Sequence, residues 1–182
     1  MSFGNVLRLV VLSAALHAFA GATAVYGQVC TSMSISVSTA PGGATVTGNG
    51  GAFSVSFGNV NGLGILTPAT GVSVSQSAGG ATYTTPVRVT VTYTCVLGTR
   101  TTRVYQDSTT SAASQSAARE GATAASVVSV PNSQASETLI NTPPASGTVI
   151  TRYVGVFVSN ANGASSVTGT LAPKFIYRLA SQ

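Results

Sequence analysis

The sequence predicts an all-β protein, a sandwich of about seven to nine short antiparallel strands carrying one disulfide. Three observations lead there. Apolar and hydroxyl-bearing residues alternate with a period of two in run after run. Glycine, asparagine and proline turn signals separate those runs. No segment after the N-terminus carries the apolar period of a long helix.

The runs appear in order along the chain. Met33, Ile35 and Val37 alternate with Ser34, Ser36 and Ser38, so "MSISV" (33–37) reads as a strand. Phe53, Val55 and Phe57 alternate with Ser54 and Ser56, and Val72 and Val74 alternate with Ser73 and Ser75. The longest run is "YTTPVRVTVTYTCVL" (83–97), where Tyr83, Val87, Val89, Val91, Tyr93, Cys95 and Leu97 share one face. Arg88, Thr90, Thr92 and Thr94 share the other. One face is meant for a core and one for water. Further strands are expected at 102–106, 125–130, 137–140, 148–158 and, last, in "KFIYRL" (174–179), where Phe175, Tyr177 and Leu179 share a face. Turns fall at "PGG" (41–43), "GNGG" (48–51), "NG" (61–62), "AGGA" (78–81) and "NANG" (160–163). Residues 108–125, rich in Ala, Ser and Gln with no apolar period, read as a loop.

Composition bounds what the chain does. Only 6% of its 182 residues are charged, while 24 Ser and 25 Thr supply the polarity and 44% of the chain is hydrophobic. Such a chain has the apolar content to bury a core and the small, β-branched residues that suit pleated sheets. The N-terminus reads as an export signal: Arg8, then the apolar segment 9–20, then small residues at 21–27. Residues 1–27 are assigned to the signal, with cleavage after Gly27 preferred to Ala24 or Ala20. Residues 28–182 form one secreted domain, with no membrane span left once the signal is removed. "GQVC" lacks the small residue that a lipoprotein carries before its cysteine. The expected location is the periplasm or the bacterial cell surface.

Signal removal takes the only histidine, His17. What remains has Asp107, Glu120 and Glu137 as its only carboxylates and seven basic side chains, for a net charge of +4. A serine nucleophile has no histidine base, no G-x-S-x-G surrounds any serine, and no pair of carboxylates sits in a glycosidase-like motif. The three acids read as solvated loop charges. Two cysteines without a histidine do not complete a zinc shell. No cofactor and no enzymatic activity are expected.

Cys30 and Cys95, in an oxidising compartment, most simply form one disulfide, closing a loop worth about 4 kcal/mol in the chain-entropy model. The glycine-rich stretch "SFGNVNGLGILTPATG" (56–71) contains Pro68 and runs into an alternating strand, not into a helix and a lysine. It reads as a corner of the sandwich and not as a phosphate loop. The arginines are dispersed, so nucleic acid is not an expected partner. Tyr83, Tyr93 and Tyr177 fall on apolar faces and read as core residues, and there is no Trp to build a sugar platform.

The run "FGNV" (57–60), "VRVTVTYTCVLGT" (87–99) and then Arg119 resembles spore coat protein U domains and the related archaic chaperone–usher pilins. "KFIYRL" is similar to their alternating last strand. The resemblance implies an immunoglobulin-like sandwich that polymerises by strand exchange, with a periplasmic chaperone and an outer-membrane usher as assembly partners. In those subunits an apolar donor segment precedes the first cysteine. Here Cys30 lies three residues into the mature chain, so "MSISV" after it would have to serve. The reading is a non-enzymatic structural subunit of a bacterial surface fibre or coat, self-associating through terminal strands that carry Met33, Ile35, Val37, Phe175, Tyr177 and Leu179. The alternative is a monomeric secreted adhesion or glycan-binding module.

Overall fold

The computed structural model describes residues 30–95, 100–107, 116–141, 146–161 and 171–181. The signal-peptide assignment therefore lies outside the described residues. Among the described residues eleven strands form two sheets, and every pairing is antiparallel. Sheet A contains β1 (Cys30–Thr39), β4 (Ser73–Ser77), β5 (Gly80–Cys95), β7 (Ser116–Gly121), β8 (Val128–Ser129) and β10 (Val149–Ser159). Sheet B contains β2 (Val46–Asn49), β3 (Ala52–Val55), β6 (Arg100–Gln106), β9 (Thr138–Asn141) and β11 (Lys174–Ser181). The order is β1-β5-β10-β7-β8 in sheet A, with β4 also on β5, and β2-β3-β11-β6-β9 in sheet B.

The period-two pattern explains the core. Val87, Val89 and Val91 of β5, Val154, Val156 and Val158 of β10, and Phe53 and Val55 of β3 all turn inward and are buried. Phe53 stacks on Phe175 at 5.5 Å between ring centroids and meets Tyr177 edge-on at 5.2 Å. These rings join the two inner faces, with dispersion and apolar burial acting together.

β5 holds sheet A together. One of its edges carries β10; the other is shared, with β4 against Gly80–Thr84 and β1 against Val87–Cys95. Val91 and Tyr93 send their N–H groups to Thr148 O and Ser146 Oγ on the β10 side, so the even residues face β1. Pro86 is even and sits where β4 has ended and β1 has not begun. Its missing N–H falls in that gap, which is how a long central strand tolerates proline.

Three details of the elements depart from the sequence reading. The strand expected at 125–130 is only β8, at Val128–Ser129. Residues 108–125 were expected as loop, but Ser116–Gly121 forms β7 and Ala124–Ser126 a 3-10 turn; 108–115 lie outside the described residues. β7 lacks an apolar period because small Ala118 and charged Glu120 face inward, and its ladders to β10 and β8 supply the rest of its support. The turn expected at 48–51 is narrower, since β2 runs to Asn49 and the chain reverses at Gly50–Gly51. Short strands such as these raise the number above the seven to nine expected.

Candidate functional site

The two sides of the sandwich close differently. On the β8/β9 side the chain itself crosses from sheet A to sheet B: Val130 N–H donates to Ala118 O and Gln106 N–H donates to Pro131 O, at 2.9 and 2.7 Å. On the β1 side the closure is local. Gly50 O accepts from Val37 N–H of β1 at 3.1 Å, and Gly51 O accepts from Tyr177 N–H of β11 at 2.8 Å. The Gly50–Gly51 turn thus pins β1 and β11 at one point. A side chain at Gly51 would overlap Tyr177 O and come within 2.7 Å of Ile35 Cγ2, so only glycine fits between the strands.

Beyond that point, toward Cys30, no ladder joins β1 to β11. Because Val37 N–H points away from β5, the period of two sends the main-chain groups of Ile35 and Met33 the same way. On β11, Tyr177 faces this side, so Leu179 does too, and pairing with β3 has already ended at Ile176. β1 is the longest edge strand among the described residues, at ten residues, and it has no Lys, Pro or other charged guard.

The residues singled out from the sequence separate into two groups. Met33 is 45% exposed, while Ile35 and Val37 are partly buried against the core. Phe175, Tyr177 and Leu179 are buried, and β11 lies inside sheet B between β3 and β6 rather than at a sheet edge. Cys30 and Cys95 stand opposite each other in the β1–β5 register; their side chains lie outside the described residues.

The carboxylates are not solvated loop charges. Glu120 is 4% exposed and faces inward from β7. Arg152 of β10 donates to its two oxygens through Nε at 2.6 Å and Nη2 at 2.9 Å, and Tyr177 Oη donates to Oε1 at 3.2 Å. This network ties sheet A to β11 of sheet B. Burial, and then the adjacent Glu120 charge, hold the Tyr177 phenol well above its ordinary pKa. Glu137 receives a fork from Arg178 at 2.6 and 3.0 Å and lies 3.6 Å from Arg103, so one carboxylate offsets two arginines that face each other across the β6–β11 ladder. The Glu137 hydrogen bonds raise the Arg178 pKa. Lys174 pairs with Asp107 at 3.1 Å.

The glycine-rich stretch forms a pinned corner. Gly58 and Gly64 adopt φ of 71° and 67°. Asn61 N–H donates to Tyr83 Oη, Tyr83 Oη donates back to Asn61 O, and Asn61 Oδ1 accepts from Ile65 N–H. The main-chain groups of this loop serve the fold.

Sequence reasoning missed the Glu120–Arg152–Tyr177 network. The signal was present in β10, where Arg152 shares the period-two face of Ile150, Val154, Val156 and Val158. Among the described residues no helix is long and apolar enough to cross a membrane. No family model, no curated protein and no solved structure matches this chain.

Proposed function

We propose that this chain is a non-enzymatic structural subunit of a bacterial surface fibre or coat, built on an immunoglobulin-like sandwich and assembled by β-strand addition between copies after export. The observation that carries the reading is the β1 edge: ten uncharged residues whose outer main-chain groups, from Ile35 toward Cys30, belong to no ladder among the described residues. An added strand would satisfy those groups and lay alternate side chains against Met33 and Ile35. β11, paired with β3 as far as Ile176 and with β6 from Phe175 to Ser181, serves as a wall of this seam and not as the donated strand. Cys30 and Cys95 form a disulfide in this reading. Antiparallel partners lie about 4.5–5.5 Å apart at Cα, inside the range that a disulfide spans. The bond would anchor the β1 edge to β5 next to the seam. Sedimentation and negative-stain imaging of the mature chain test the proposal. Polymers that grow with concentration are expected; compact monomers at all concentrations would overturn it and favour the secreted adhesion reading.

A further inference from the structure

The outer face of sheet A is largely hydroxyl-bearing. Ser32, Ser34 and Ser36 of β1 stand opposite Thr94, Thr92 and Thr90 of β5. One region breaks that uniformity. A transverse row crosses five strands in register: Ser73 of β4, Thr84 of β5, Gly155 of β10, Arg119 of β7 and Ser129 of β8. Tyr153 and Phe157 flank Gly155 along β10 on this outer face. Gly155 and Thr84 are buried, whereas Tyr153, Phe157 and Arg119 are partly exposed. The two aromatics and the arginine therefore form a raised platform. Gly80 shapes its far side, since a Cβ there would come within 2.9 Å of Phe157 Cζ.

Arg119 lies over Phe157 with its guanidinium carbon 5.1 Å from the ring centroid, and its Nε is buried with no hydrogen-bond partner. The stack holds this arginine in place. Glu120 is taken by Arg152, Glu137 by Arg178 and Arg103, and Asp107 by Lys174. Among the described residues Arg119 thus has no carboxylate partner. A fixed, uncompensated guanidinium beside two half-exposed aromatic rings, with serine hydroxyls at its margins, presents a defined chemistry. Aromatic faces take the C–H faces of a sugar ring, and a guanidinium fork takes a carboxylate.

We infer that Arg119, Tyr153 and Phe157 form a binding platform for a carboxylate-bearing sugar of an acidic polysaccharide. Charge complementarity selects that occupant over a neutral glycan: the chain carries a formal net charge of +5, and its described carboxylates are all used internally. The site is separate from the β1 seam and does not depend on polymerisation.

The test titrates the mature chain with a galacturonic acid oligomer, its methyl ester and a neutral mannose oligomer, read by calorimetry and by NMR shifts. Saturable binding of the acid is expected, with shifts centred on β7 and β10, and with the ester and the neutral oligomer at least about tenfold weaker. Arg119→Gln and Arg119→Lys each lower affinity about tenfold or more, because the lysine keeps the charge but loses the planar fork. Arg88→Gln, an exposed arginine on the same face, leaves affinity unchanged. Circular dichroism verifies that each variant is folded. Absence of saturable binding, an Arg119→Lys variant equal to the wild type, or an equal loss with Arg88→Gln would overturn the inference in favour of diffuse positive charge.

Discussion

Replacing Glu120 by alanine should cost far more than any loop charge does. The carboxylate is 4% exposed and accepts three hydrogen bonds, two from Arg152 and one from Tyr177. Its removal leaves the Arg152 side chain, only 11% exposed, without a counter-charge, and the buried Tyr177 hydroxyl without its acceptor. Breaking one side of a buried pair costs about 3–5 kcal/mol. At a urea dependence of about 2 kcal/mol per molar, the unfolding midpoint falls by about 2 M. Asp107→Asn is the control. Its partner Lys174 is 38% exposed, so solvent screening limits that loss to about 1 kcal/mol or less. The double variant Glu120→Leu/Arg152→Met should recover most of the stability, because it removes both charges together. Equilibrium urea unfolding of the four proteins decides the matter. If Glu120→Ala and Asp107→Asn shift the midpoint equally, the network is not the inter-sheet lock derived above.

Two further perturbations follow from the same geometry. Tyr177 keeps its proton in the folded state when the unfolded chain, titrating near 10, has lost it, so its contribution is full below about pH 10 and is lost as pH rises through the elevated folded value. Unfolding free energies from urea melts at about pH 9 to 11.5 should fall more steeply for the wild type than for Tyr177→Phe, by up to about 1.4 kcal/mol per pH unit; parallel profiles would contradict this. Gly51→Ala forces a methyl group onto Tyr177 O and toward Ile35, which should cost about 1–3 kcal/mol and lower the melting temperature by several degrees, and an unchanged melt would show that the pin is not tight.

The alternating runs made β1, β5, β10 and β11 legible because a buried face and a wet face impose a period of two on the residues themselves. β2 was hidden because Gly48 and Asn49, ordinary turn residues, pair with Phe53 and Ala52 in a tight hairpin. β7 was hidden for a different reason. Ala118 and Glu120 are among its inward positions, and the second is held by an arginine 32 residues further on, which no local pattern reports. The place of β11 inside sheet B was equally out of reach, since strand order depends on pairings between distant segments. The chemistry of Arg119 and Phe157 was unreadable for the same reason: the residues lie on different strands and meet only through the β7–β10 register.

The β1 edge is tested most directly by proline placed at two adjacent positions. Ile35 directs its main-chain N–H outward, so Ile35→Pro removes a donor from the seam and none from the β5 ladder. Ser36 faces β5 opposite Thr90, so Ser36→Pro breaks the ladder and should lower the melting temperature. Analytical ultracentrifugation of the mature wild type and Ile35→Pro, with folding verified by circular dichroism, reads assembly separately from stability. The account predicts wild-type polymers and folded Ile35→Pro monomers; folded Ile35→Pro that polymerises like the wild type would contradict strand addition at this edge.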